Sequence, residues 1–201
     1  MPTTNNEPLI PRVLHEIKRT FMGEAHSLWE IKAGLEQAET QETDFFYLLK
    51  RHHDYLQESI TVLLDNYAEE FDKQWHLSRF LHLLSMHSRA EQETLYRNLS
   101  ANREKEARLQ GIEGRHEHDM AYQLSEELYG LGFEDKWSEE IDGKAIVLAH
   151  MVSHHLKEEE TQMFPIAERC LEEKELSGLL IEYIHKCEGY LEIEMRPGYR
   201  L

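Results

Sequence analysis

The chain has 201 residues, 40% of them hydrophobic and 9% aromatic, with ten glycines, five prolines and a formal net charge of −17. That is enough for one domain with a real core, in a composition that favours helices over a sandwich or barrel. The charge sets the chain against nucleic acid or an anionic membrane as a partner, since phosphates would be repelled.

Residues 1–8 read as a loose tail without the basic and apolar regions of a secretory signal, and no apolar run is long enough for a membrane span. From Leu9 onward apolar residues recur at helical spacing (Ile10, Val13, Leu14, Ile17, Phe21, Ala25, Leu28, Leu35), predicting an amphipathic helix bent near Gly23. "ETQETD" interrupts it and offers Thr43 or Asp44 as cap for a second helix, whose inner face runs Phe46, Leu49, His53, Leu56, Ile60, Leu63 and Tyr67. A third helix is predicted over 72–100, with Phe80, Leu83, Leu84, His87, Glu91 and Leu95 along one side. "QGIEG" is expected to delay or bend a fourth, which carries His118, Ala121, Tyr122, Ser125 and Leu128 until "YGLG" stops it. A fifth runs from about 138 to a kink at Pro165, and a sixth covers about 174–193. No stretch alternates like a strand. The expected fold is all-α, an up-down-up-down four-helix bundle over 43–172. Residues 1–42 add a tail and an N-terminal helix, and 173–201 a C-terminal helix and tail packed on the bundle. Cys170 and Cys187 form no CxxC pair and read as packing residues, which together with the missing signal points to a cytoplasmic protein.

One repeat stands out. "HSRAEQETLY" from His87 and "HLKEEETQMF" from His155 share a histidine, a glutamate four on, Leu or Met eight on, and Tyr or Phe nine on. Each is led, at nearly equal distance, by a histidine on the preceding helix that is followed by aspartate: His53 with Asp54, and His118 with Asp119. Four residues turn about 400°, so the histidine and glutamate of each repeat stand roughly 40° apart on the wheel and about 6 Å apart along the axis. In a four-helix bundle such faces converge, as in dinuclear carboxylate–histidine sites. Buried without metal, the two carboxylates would each raise the other's pKa; a divalent cation holds them ionised and the imidazoles neutral. The candidate ligands are therefore His53, His87, Glu91, His118, His155 and Glu159, a donor set that suits iron, manganese or zinc, and iron best for redox chemistry.

These words, with "LLKRHHD" and "EHD", resemble the hemerythrin-like HHE cation-binding family over roughly 43–172. The resemblance implies a non-haem di-iron site with the four histidines as terminal ligands, Glu91 and Glu159 bridging, and an oxo or hydroxo group completing the bridge. It departs from the oxygen-carrying hemerythrins, which have a fifth histidine where this chain has Tyr122. The four-histidine pattern is similar to that of di-iron proteins of nitric oxide and oxidative-stress responses. The expected partner is thus a small diatomic or peroxide ligand (oxygen, nitric oxide or peroxide), met in sensing or stress response. A metal-binding or storage module without turnover, and a structural partner-binding bundle, remain alternative readings. Tyr122 is expected to act as a phenolate ligand, a hydrogen-bond donor or a plain core residue, and His154, on a wetter stripe with His150 and Glu158, as an outer partner or extra ligand. His52, about 100° from His53, is read as the poorer ligand. Met86, Met120, Met151 and Met163 are expected to line a dry pocket wall.

Overall fold

The computed structural model describes Leu35 and residues 44–194, the side chains of 192–194 excepted. The helix expected across 9–35 and the tail after 194 lie outside the described residues, apart from Leu35, which is fully buried in the core. Seven α-helices are described: α1 (Phe45–Leu63), α2 (Glu70–Glu91), α3 (Arg97–Ser100), α4 (Lys105–Leu131), α5 (Glu139–Glu158), α6 (Phe164–Cys170) and α7 (Glu173–Glu194). Two π-helical turns, Gln92–Tyr96 and Glu159–Met163, join α2 to α3 and α5 to α6, so that each pair makes one long rod. No strand occurs among the described residues. The fold is all-α, and no described helix is long and apolar enough to cross a membrane.

The rods begin where local chemistry dictates. Asp44 caps α1, accepting from the Tyr47 amide at 3.0 Å, and Ser138 caps α5, accepting from the Ile141 amide at 3.3 Å. Gly132, at φ 68°, ends α4 in the left-handed conformation that glycine tolerates best. Helix α1 stops at Leu63, one turn short of the expected Tyr67. Asp65 turns the chain by accepting from the Tyr67 amide at 2.9 Å, which leaves that ring 94% exposed.

Four rods pack in a ring: α1 on α2, α2–α3 on α4, α4 on α5–α6, and α5 back on α1. Short connections at 64–69, 101–104 and 132–138 make successive rods antiparallel. At one end of the bundle Lys73 Nζ donates to Asp142 Oδ1 at 2.7 Å, and Trp137 Nε1 donates to the same oxygen at 3.1 Å, clamping the starts of α2 and α5 together. Helix α7 lies along α2 and α1, burying Leu179, Tyr183, Ile184, Cys187 and Leu191.

"QGIEG" neither delays nor bends α4, which starts ahead of it at Lys105. Its glycines serve close approach. A Cβ on Gly111 would stand 2.8 Å from the Tyr96 carbonyl oxygen, and one on Gly114 would stand 2.8 Å from Tyr96 Cζ. The missing side chains let α4 lie directly against the first π-turn.

Candidate metal centre

All six expected ligands are 5% exposed or less, although they come from four different rods. His53 lies on α1, His87 and Glu91 on the last turn of α2, His118 mid-way along α4, His155 on the last turn of α5, and Glu159 at the start of the second π-turn. Their donor atoms fall into two groups, each within 4.8 Å of one another: His53, His87, Glu91 and Glu159, and His118, His155 and Glu159. Glu159 belongs to both, with Oε2 3.2 Å from His53 Nε2 and Oε1 3.4 Å from His155 Nε2. Glu91 Oε2 likewise stands 3.2 Å from His87 Nε2 and 3.7 Å from His118 Nε2.

Protein partners leave this cluster unsatisfied. His53 Nε2, His87 Nε2, both Glu91 oxygens and Glu159 Oε2 are buried without a well-formed hydrogen bond. A buried carboxylate with both oxygens orphaned is costly, and such groups call for a missing partner. The Nε2 atoms of His118 and His155 stand 2.9 Å apart, a hydrogen bond when one of them carries a proton and a pair of lone pairs open to a cation when neither does. Imidazole and carboxylate donors, without thiolate, fit iron, manganese or zinc.

Electrostatics tells the same story. Burial pushes the Glu91 carboxyl well above the usual carboxylate range, and the Glu159 charge adds to the shift. Burial acts on Glu159 as well, but His155 and His53 outweigh it and hold Glu159 well below that range. Burial drives His118 down to about 3 and His87 well below its ordinary value. Burial also opposes the charged forms of His53 and His155, yet carboxylates win at both: Glu159 and Glu160 raise His53, while Glu159 and Glu117 raise His155 well above its ordinary value. Four like imidazoles and two like carboxylates are thus split into charged and neutral members. Cations between them would restore equivalence.

The outer nitrogens aim the inner ones. His53 Nδ1–H donates to Glu160 Oε1 at 2.8 Å, and His155 Nδ1–H donates to Glu117 Oε2 at 2.6 Å. Either bond fixes the tautomer that leaves Nε2 free to ligate. His118 Nδ1 makes no well-formed bond, although the Ser88 carbonyl favours its protonation. The Tyr183 hydroxyl on α7 stands 2.7 Å from His87 Nδ1 and 2.8 Å from His52 Nδ1. The assignment that frees His87 Nε2 has His87 Nδ1–H donating to Tyr183 and Tyr183 O–H donating to His52, whose imidazole burial holds neutral by lowering it to about 3. Replacing Tyr183→Phe is expected to weaken metal binding about 10–100-fold while the helix content stays, checked by competition with a chelator of known affinity and by circular dichroism.

Tyr96 is the site residue that the helical wheel misplaces. It lies five residues after Glu91, roughly 140° away on an unbroken α-helix. The π-turn adds one residue to the coil and returns Tyr96 to the inner face, where it is fully buried. Its hydroxyl donates to Glu159 Oε1 and lies 3.2 Å from His155 Nε2 and 3.4 Å from His118 Nε2. The second π-turn does the same for Phe164, five residues after Glu159. Tyr96 lies over His118 with ring centroids 4.9 Å apart, and Phe164 stacks on His53 at 5.7 Å. At the ninth position of the repeat the two halves differ by one hydroxyl, which stands beside His118, His155 and Glu159.

Tyr122, expected as a ligand, hydrogen-bond donor or core residue, does not reach the cluster and is 59% exposed. The inner stripe of α4 runs through Gly114, His118, Ala121 and Leu128, and Tyr96 enters from the neighbouring rod instead. His154 stands outside the inner groups with its side chain 69% exposed, 3.1 Å from Glu158 Oε2. Met86 and Met163 are buried, but Met120 is 51% exposed on the outer face of α4. Among residues absent from the expected set, His52, Glu117 and Glu160 carry no spacing signal. They become partners only through contacts between rods.

The sequence pattern of the hemerythrin HHE cation-binding domain matches residues 44–167, the stretch that contains all six inner residues and both π-turns. No curated protein and no solved structure matches the chain.

Proposed function

Because the chain belongs to the hemerythrin HHE cation-binding domain family, we propose that it holds two iron ions between His53, His87, His118, His155, Glu91 and Glu159 and binds or reacts with oxygen, nitric oxide or peroxide in sensing or stress response. The observation that carries this reading is Glu159, a single buried carboxylate that points one oxygen at each histidine pair. When bound, iron would supply Lewis acidity and redox equivalents toward a small ligand. The chain's own residues do the rest. His53 and His155 are oriented by Glu160 and Glu117, and His87 by Tyr183. Tyr96 holds a proton on its hydroxyl, since burial and the neighbouring carboxylates keep its pKa well above the ordinary phenol value. That proton is donated to Glu159 Oε1 beside His118 and His155, and Glu159, on taking up a cation, would release it to hydrogen-bond a small polar ligand there. A cytoplasmic setting accompanies this reading, supported by Cys170 and Cys187, which stand outside any disulfide.

The test is to load the protein with iron(II) without oxygen and then add oxygen, nitric oxide or peroxide in turn. Near-ultraviolet ferric absorption, or a nitrosyl electron-paramagnetic signal, supports the proposal. A Tyr96→Phe variant is expected to keep the iron and change the response. An iron-loaded protein whose spectrum stays flat with all three ligands is a binding or storage module, and the proposed reactivity falls.

A further inference from the structure

The inner donors are nearly inaccessible, yet cations must reach them. A cavity of about 60 Å³ lies between α4 and the α5–π-turn rod, lined by Glu113, Gly114 and Glu117 on one side and His155, Glu158 and Glu159 on the other. That volume holds water or a partly hydrated ion. Glu159, 1% exposed, lines it and carries its orphaned Oε2 toward His53, and no lysine or arginine is among the lining residues. Beside it Glu117, His154 and Glu158 each offer one donor atom, all within 4.8 Å of one another. The side chain of His154 is 69% exposed and that of Glu117 25% exposed, so this group faces solvent and interior at once. Glu117 also accepts from His155 Nδ1 at 2.6 Å, so the outer group and an inner histidine share one carboxylate.

Resting on the metal-binding reading above, we propose that Glu117, His154 and Glu158 form a third, weaker divalent-cation site that captures metal at the surface and feeds it through the acidic cavity to the inner pair. Mixed imidazole and carboxylate donors select the same first-row cations as the inner site. Clustered carboxylates in a narrow, low-dielectric cleft concentrate cations and raise their entry rate. The route has a direction, since exposed donors bind weakly and buried, orphaned ones strongly.

The test uses cobalt(II) added to metal-free full-length protein, followed by stopped-flow visible absorption and by equilibrium titration. The wild type should take up two tight equivalents and one weak one. In the double variant His154→Ala/Glu158→Gln the weak equivalent should vanish and the two tight ones should load about tenfold more slowly to the same final absorbance. The control His116→Ala/Asp119→Asn removes a similar exposed pair on α4 and should load like the wild type. Unchanged loading in the double variant, or equal slowing in the control, overturns the entry site while leaving the inner centre intact. A wild type that binds no cobalt overturns both readings.

Discussion

Replacing Glu159→Gln is expected to abolish metal binding at both inner positions together, not at one. The substitution preserves shape and removes a charge common to both donor groups. Loss of a single orienting partner around a metal costs about 10–100-fold in affinity, and loss of a ligand shared by two cations should exceed about 100-fold at each. His53→Ala, by contrast, removes a donor from one group only and should leave the His118–His155 side able to take up metal. Titration calorimetry with manganese(II) or iron(II) separates the two patterns. Stability should follow. At a metal concentration about 1,000 times the dissociation constant, each occupied site adds about 4 kcal/mol to unfolding, so excess metal should raise the melting temperature of the wild type and leave that of the Glu159→Gln variant unmoved. A variant that keeps one full equivalent would show that Glu159 serves one side alone.

The second large effect is expected at Gly114. A methyl group there would meet the Tyr96 ring at 2.8 Å, against a side chain fixed by Glu159, His118 and His155. Overpacking of this kind costs about 1–3 kcal/mol. Gly114→Ala should therefore lower stability by that amount and disturb the Tyr96–Glu159 bond. In a Tyr96→Ala background the same substitution should be almost neutral, because the space it needs is vacant. Denaturant unfolding of the four proteins in the cycle gives the coupling, expected to exceed about 1 kcal/mol. Additive costs would mean that Gly114 acts through α4 itself, as an ordinary loss or gain of helix propensity.

Gly114 and Tyr96 also mark where helix pitch stops being a guide. His87 with Glu91, and His155 with Glu159, are legible because helix pitch alone puts residues four apart on one face. The lone histidines His53 and His118 follow from their phase with Leu49, Leu56, Ala121 and Leu128. The bundle follows from the same stripes, since each rod has one apolar side and short connections. Tyr96 and Phe164 lie beyond this logic. Both depend on a π-turn, which shifts the phase of everything after it and which hydrophobic spacing does not announce. Tyr122 stands where the resemblance implies a further inward residue, but it is 59% exposed and the space inside is taken by the Tyr96 ring from another rod. Tyr183 meets His87 and His52 only because α7 docks over α2 and α1, a tertiary contact across 96 and 131 residues of sequence. Glycines 111 and 114 read as helix breakers on propensity, while the packed structure uses them as gaps for Tyr96.

The most direct measurement is the metal-to-chain ratio of protein purified from iron-replete cells, taken beside the same ratio for a His53→Ala/His118→Ala variant shown to be folded. Two imidazole pairs sharing two carboxylates predict about two metal ions per wild-type chain and a large loss in the variant. A wild-type ratio far below one, or a ratio that the variant leaves unchanged, would contradict it.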